Sequence, residues 1–419
     1  MTYPEAIDYL YNVTPVFEHV GASAYKPGLH TTKMLDKHYG HPHRAYKTIH
    51  VAGTNGKGSC SHSLASILQE AGYRVGLYTS PHLVDFRERI RVNGAPASEQ
   101  FVVDFVEDFI RWNTPDHTEE ILYPSFFELT TAMAFKYFAE QHVDIAVVEV
   151  GLGGRLDCTN IITPVLSIIT NISFDHTQFL GSTLAEIASE KAGIIKKGVP
   201  VVIGETVEET KKVFGDKALE MNAPIVFAEE FHQPSPLPDF ELKGTYQKLN
   251  LRTILCAAHQ LCKLGILEPE FEDEGWGNAL MNVTRNTGLM GRWQTLQERP
   301  LVICDTGHNV GGWEYLAPQI KAQPCRQLRM VFGMVDDKDI DAVLAMLPQT
   351  AVYYFTQADN HRAIPATAVA QKALSHGLQG QPFTTVSEAY RKALADANDD
   401  DFIFVGGSSY IVADLLSSL

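Results

Sequence analysis

The segment Gly53–Ser59, GTNGKGS, is the pattern in this 419-residue chain best suited to chemistry. It follows the strand-like run Lys47–Ala52 (KTIHVA) and precedes the helical run Cys60–Ala71. Glycines let a backbone approach a phosphate closely, and a helix N-terminus adds unpaired N–H groups and positive potential. Lys57 would neutralise a β- or γ-phosphate. The loop is a shortened form of G-x-x-x-x-G-K-[ST], because Val51 stands where the first glycine belongs. The plainer reading, a strand-to-helix turn, leaves three glycines and a lysine in this order unexplained. Glu149 ends the run Asp144–Val150 (DIAVVEV), and Gly151–Asp157 (GLGGRLD) follows. Ligands of open α/β sheets gather beyond the carboxyl ends of strands. A carboxylate there suits Mg²⁺, which takes few protein carboxylates plus phosphate oxygens.

Other polar residues also fall at strand ends. Ser80, in Ser80–His82 (SPH), would add a hydroxyl to a metal or merely form a turn. His176, after Asp175, would be a metal ligand or a satisfied surface histidine. Ser125–Glu128 (SFFE) and Thr183–Glu186 (TLAE) are capping boxes, so helices start there and Glu128 needs no further role. Lys191 lies four residues after Ile187 and seven after Leu184, on the apolar face of the second helix. Spacing alone favours a snorkelling stem or an ion pair. The sharper possibility is a desolvated neutral amine able to react with CO₂. Arg87, Arg89 and Arg91 alternate in RERIRV (Arg87–Val92). As a strand, this segment would put three guanidiniums on one face, either a solvated edge or an anion-facing patch. Asp305 ends Leu301–Asp305 (LVICD) and leads into TGHNVGG (Thr306–Gly312). It and His308 would hold a ribose hydroxyl or serve as turn and cap residues.

Two stretches of alternating strands and helices position these residues. The first runs from Lys47 to about Phe227, with further strands at Arg74–Thr79, Val165–Asn171 and Val199–Ile203. The second runs from Leu301 to Leu419, with strands at Leu328–Gly333, Ala351–Thr356, Phe383–Val386 and Phe402–Val405 and a helix at Ser387–Ala397. Short apolar strands separated by helices imply mostly parallel sheets covered on both faces. Between them lie the Pro-rich Gln233–Asp239, a helix near Asn250–Leu264 and the turn-rich Asn286–Trp293. The expected domains are 1–296 and 297–419. The fold class is α/β: an N-terminal mostly parallel sheet of P-loop type and a smaller C-terminal Rossmann-like domain.

A net charge of −16 argues against a nucleic-acid binder that works through overall charge, and anionic ligands would need locally gathered cations. Six scattered cysteines without a C-x-x-C pair fit a reduced cytoplasmic protein rather than a zinc ribbon or redox motif. Neither a signal peptide nor an apolar run of membrane length is apparent.

Taken in order, HVAGTNGKGS, YTSPHL, FRERIRVNG, VVEVGLGGRLDCTN, FDHTQFLG, SEKAGIIKKG, GRWQ, DTGHN, GMVDDKD and GGSSY resemble the folylpolyglutamate synthase/dihydrofolate synthase family of the Mur-ligase superfamily. The resemblance implies that Thr54, Asn55, Gly56, Lys57, Gly58 and Ser59 cradle ATP phosphates. It implies that Ser80, Glu149 and His176 bind Mg²⁺, in two ions, with a monovalent cation a further possibility. Lys191 looks like the family's carbamylated lysine, which reverses the reading from spacing. Asn250, Arg292, Asp305 and His308 would meet the nucleotide, Arg292 and Asp305 from across a domain cleft. Ser125, Phe126, Phe127, Leu156, Asp157 and Cys158 would line the pterin end of the substrate, and Arg87 and Arg89 lie in a mobile-loop region. Lys57, Lys191, His176 and Arg292 would carry the catalysis.

Three departures stand out. Tyr25–Leu29 reads YKPGL where familiar bacterial members read like IDLGL, so Lys26 and Pro27 replace Asp and Leu. Gly307 and Cys158 each replace alanine. The implied reaction is ATP-dependent addition of L-glutamate to dihydropteroate or reduced folates through an acyl phosphate, by a monomer without nucleic-acid or membrane partners. The alternatives are a cell-wall Mur ligase and a nucleotide-binding switch that ligates nothing.

Overall fold

The structure, a computed structural model, describes residues 1–14, 28–231, 237–268 and 271–419. Tyr25, Lys26 and Pro27, and residues 233–236 of the Pro-rich stretch, lie outside the described residues. The chain forms two compact units: Met1–Glu241 with Leu249–Gly288, and Leu242–Lys248 with Leu289–Leu419.

The first unit is built on eight strands: β1 (Lys47–Ala52), β2 (Val75–Tyr78), β3 (Ile90–Val92), β4 (Ala95–Pro96), β5 (Ile145–Glu149), β6 (Leu166–Ile169), β7 (Val201–Ile203) and β8 (Ile225–Phe227). Their spatial order is β4-β3-β2-β5-β1-β6-β7-β8. From β2 to β8 the neighbours are parallel, and β3 and β4 add an antiparallel edge. The parallel strands β2, β5, β6 and β7 are buried at every residue. Strands covered on both faces read as continuous apolar runs, which is why their positions are visible in the sequence. A cluster around Tyr78, Phe105, Phe109, Phe135 and Phe138 packs the helices Glu99–Trp112 and Phe126–Glu140 against this sheet.

The second unit holds β9 (Gln294–Glu298), β10 (Leu301–Asp305), β11 (Leu328–Phe332), β12 (Val352–Phe355), β13 (Gly380–Pro382) and β14 (Phe402–Gly406), ordered β13-β12-β11-β14-β10-β9. All pairs are parallel except β9 with β10. Trp313 is wholly buried and meets the rings of Phe332 and Phe404 edge-on. Arg329 donates to Asp401 at 3.0 Å and to the Tyr354 hydroxyl at 2.9 Å, so the cation buried beside this core is paired.

Three expectations are corrected. A boundary at residue 296 falls inside β9, which pairs with β10 and therefore belongs to the second sheet. Residues 383–386 are not a strand. The last strand before that point is β13, and Thr385 caps the helix Val386–Ala395 by accepting from the Glu388 N–H. Phe86–Arg89 is a 3₁₀ turn rather than the start of a strand, so Arg87, Arg89 and Arg91 do not share a strand face. The cause is a capping box. Asp85 accepts from the Arg87 N–H, and Glu88 accepts from the backbone of Leu83, Val84 and Asp85.

Candidate active site

The loop after β1 turns on two glycines. Gly53 has φ +144°, and a Cβ there would lie 1.8 Å from Thr170 Oγ1. Gly56 has φ +84°, caps the helix Lys57–Glu70, and would drive a Cβ to 2.2 Å from Asn250 Oδ1. Only glycine fits such a backbone at this distance from its neighbours. The segment after β6 holds the loop. Asn171 accepts from the N–H groups of Thr54 (2.9 Å, backbone oxygen) and Asn55 (2.8 Å, side chain). Thr170 donates to the Asn55 carbonyl at 2.5 Å, and the Ser173 N–H donates to Thr54 Oγ1 at 3.0 Å. The N–H groups at the start of the Lys57 helix, including those of Gly58 and Ser59, lie beyond this braced turn. Lys57 Nζ folds back onto the carbonyls of Gly53 and Thr54, both at 3.0 Å.

Sheet order assembles the neighbouring groups. Val51 of β1 is in register with Glu149 of β5, Tyr78 of β2 with Val148, and Ala52 with Ile169 of β6. Ser80, Glu149, the loop and His176 therefore follow the carboxyl ends of adjacent parallel strands, the edge where such sheets bind ligands. Glu149 is buried. His176, at φ +49°, heads the short helix Thr177–Leu180, and its backbone N–H donates to Asp175 Oδ1 at 2.9 Å. Among the described residues, no group of three or more His, Cys, Asp and Glu side chains is placed to hold a metal. One carboxylate, one hydroxyl and one imidazole nonetheless suit a hard divalent ion that draws its remaining ligands from water and phosphate.

Lys191 is the most constrained cation. The helix Leu184–Ala192 begins with Thr183 and Glu186 in the expected reciprocal cap. It carries Lys191 inward, 4% exposed, to donate to the Gly53 carbonyl at 2.9 Å. Lys57 donates to the same oxygen. Burial, and then the Lys57 charge, lower the Lys191 amine to about 7. Both effects favour the unprotonated amine.

GLGGRLD, after β5, packs against that helix. A Cβ on Gly154 would meet the carbonyls of Lys191 and Glu190, and one on Gly151 would meet the Phe127 ring at 2.5 Å. Phe127 in turn stacks on Tyr78. Asp157 is buried and accepts from the Leu152 N–H at 2.8 Å and the Thr159 N–H at 3.0 Å. Desolvation raises its carboxyl despite these donors. Leu156 and Cys158 flank it, the Cys158 thiol held protonated by burial. Ser125 and Glu128 are engaged with each other as a cap, as their spacing implied, at the head of the helix that carries Phe126 and Phe127.

Arg87 is bound to Asp85 at 2.7 Å. Arg89 is buried over the Phe126 ring and donates to His82 Nδ1 at 2.7 Å. That donation fixes the other ring nitrogen as N–H, which the Tyr11 hydroxyl accepts at 3.0 Å. The sequence reading did not single out His82 for this; its only signal is the company of Arg89 on a segment misread as a strand.

In the second unit, Asp305 is buried and accepts from the Tyr246 hydroxyl (2.7 Å), the Trp293 N–H (2.7 Å) and the Gly307 N–H (2.8 Å). It is thus first a bracket holding Tyr246 and the Arg292–Trp293 segment, with the Gly307 bond the Asx turn considered from sequence. Arg292 helps offset the desolvation that raises this carboxyl. His308 Nδ1 lies 3.0 Å from the Thr306 carbonyl. Asn250, in the first unit, stands behind Gly56.

With this geometry in view, the comparisons with known proteins are specific. The Mur ligase middle domain matches residues 51–218, and the Mur ligase glutamate ligase domain matches residues 291–409. The dihydrofolate synthase/folylpolyglutamate synthase of Bacillus subtilis (strain 168) is 34% identical over 94% of this chain and 95% of its own length. The chain belongs to the dihydrofolate synthase/folylpolyglutamate synthase family. Among solved structures, Escherichia coli FolC in complex with DHPP and ADP superposes with a TM-score of 0.85 at 30% identity, covering 100% of this chain and 97% of that one. The Yersinia pestis bifunctional enzyme complexed with AMPPNP and a Mn ion gives 0.83 at 30% identity, covering 100% and 98%. The two-unit α/β fold is that of these enzymes. Among the described residues, no helix is long and apolar enough to cross a membrane.

Proposed function

We propose that this chain is an ATP-dependent carboxylate–amine ligase that adds L-glutamate to dihydropteroate, to reduced folates, or to both. The observation that carries the reading is the braced loop Gly53–Ser59, with Lys57 and Lys191 converging on one carbonyl at the carboxyl edge of the sheet. A carboxylate oxygen of the pteroate or folate attacks the γ-phosphorus of ATP, and ADP leaves. The glutamate amine then attacks the acyl phosphate carbon, phosphate departs, and the amine gives up a proton to leave an amide. Such phosphoryl transfer depends on positioning and charge neutralisation. Lys57 exchanges its two loop carbonyls for phosphate oxygens, and Thr54, Asn55, Gly56, Gly58 and Ser59 offer the surrounding backbone, with Asn250 beside Gly56.

Ser80, Glu149 and His176 would hold divalent ions, two in number, which supply charge neutralisation at the phosphates when bound. Ser125, Phe126, Phe127, Leu156, Asp157 and Cys158 would line the pterin end of the substrate, with Arg87 in the loop region beside it. Lys191 enters as a carbamate: its neutral amine attacks CO₂, loses a proton, and becomes a carboxylate-bearing ligand for the second ion. Six free cysteines support work in a reducing cytoplasm. The protein would act as a monomer.

The test is phosphate release with ATP, Mg²⁺ and L-glutamate, adding dihydropteroate and tetrahydrofolate separately. Release that depends on both glutamate and one pterin substrate is expected; release indifferent to them would indicate a nucleotide switch. Lys191→Ala should be inactive and regain activity with a short-chain carboxylate. Full activity of the plain variant would remove the carbamate.

A further inference from the structure

Beneath Asp157 runs a chain of buried polar groups that the ligase reading leaves unused. His50 on β1 and Thr159 are both wholly buried. His50 Nε2 lies 2.8 Å from Thr159 Oγ1, and the Thr159 hydroxyl donates to Asp157 Oδ1. The Thr159 hydroxyl has a single proton, and it is the one given to Asp157. The hydroxyl oxygen then turns its lone pair to His50, and His50 Nε2 must carry a hydrogen. His50 Nδ1 agrees: it is buried with no hydrogen-bond partner among the described residues, as suits the proton-free nitrogen of a neutral ring. Burial lowers the imidazole to about 3, with the Lys196 charge adding to the effect, so the ring stays neutral.

We infer that His50 and Thr159 are positioning residues that hold Asp157 as an ionised, fixed acceptor for the N–H edge of the pterin ring. This rests on the reading of Asp157 as the pterin contact. Donors in series polarise one another, and a carboxylate in this desolvated place tends toward its protonated form unless donors oppose it. Thr159 supplies two of them, hydroxyl and backbone, on Oδ1. The Leu152 N–H supplies another on Oδ2. A protonated or rotated Asp157 would present an O–H where a pterin N–H needs an acceptor.

Steady-state kinetics of the full chain test this with whichever of dihydropteroate or tetrahydrofolate supports phosphate release. Thr159→Val, which keeps the shape and removes the hydroxyl, is expected to raise KM for the pterin substrate at least tenfold. KM for ATP should not move and kcat should fall less than threefold. Thr159→Ser should restore the parent values. His50→Leu keeps the Thr159–Asp157 bond but removes its donor, and should raise the same KM by a smaller factor; it also carries the test if the valine variant does not fold. Asp157→Asn separates the two readings. A pterin KM unchanged in Asp157→Asn overturns the role of Asp157 itself. A KM raised there but within twofold of the parent in Thr159→Val and His50→Leu overturns the relay alone. All KM values moving together with a lower Tm would make the pair merely structural and overturn it as well.

Discussion

Replacing Lys191 by methionine should make the protein more stable while removing its activity. The substitution keeps an unbranched side chain of similar length and deletes the ammonium. The buried amine is lowered from its ordinary 10.5 to about 7, chiefly by desolvation. At about 1.4 kcal/mol per tenfold, that difference costs the folded state roughly 4 kcal/mol at pH 7. The variant also loses the bond to the Gly53 carbonyl, about 1.5–3 kcal/mol for a charged donor. The expected net gain is therefore about 1–2.5 kcal/mol at pH 7. The sign with pH follows from the folded value lying below the unfolded one. Below about 7 both states bind the proton and the full cost is present. As pH rises toward 10.5 only the unfolded state stays protonated, so the cost fades and the parent catches up. Urea denaturation in bicarbonate-free buffer at pH 7 and pH 10 measures the gap. A variant no more stable than the parent at pH 7, or a gap equal at both pH values, would refute the reasoning.

Three further outcomes are expected. Gly53→Ala should lose ATP-dependent activity and about 2–4 kcal/mol of stability, because its Cβ would overlap Thr170 Oγ1 at a left-handed φ; thermal melting and phosphate release read the two effects. Glu128→Ala removes the acceptor for both the hydroxyl and the N–H of Ser125, and should cost about 1–2 kcal/mol in melting experiments with KM for ATP unchanged. EDTA should abolish glutamate-dependent phosphate release, and Mg²⁺ or Mn²⁺ should restore it.

What the sequence made legible follows from how local each determinant is. The phosphate loop is one contiguous turn whose glycines and lysine act within seven residues, and the caps Ser125–Glu128 and Thr183–Glu186 close over three. Strands buried on both faces announce themselves as apolar runs. The same capping rule would have found Asp85–Glu88, but the alternation of arginines beside it carried the stronger apparent pattern. The strands β3, β4 and β8 have three residues or fewer, too few to show a period. The Lys191 environment and the His50 relay are long-range facts. Lys191 meets Gly53 across 138 positions and His50 meets Thr159 across 109, so no window of sequence contains either pair. From spacing alone, a lysine on an apolar helix face is rightly first read as snorkelling, and here burial overrules that.

The seven residues Leu242–Lys248 belong to the C-terminal unit although the chain on either side of them belongs to the other. Tyr246 within that patch donates to Asp305. The polypeptide therefore changes unit three times rather than once. A fragment beginning at Leu289 would be born without Tyr246, leaving the Asp305 carboxylate short of one of its three donors. The C-terminal unit is consequently not a cassette that gene fusion or truncation can lift out at a single cut. A faithful transplant would have to bring the 242–248 patch with it, on a linker of its own or by a permuted order of the chain.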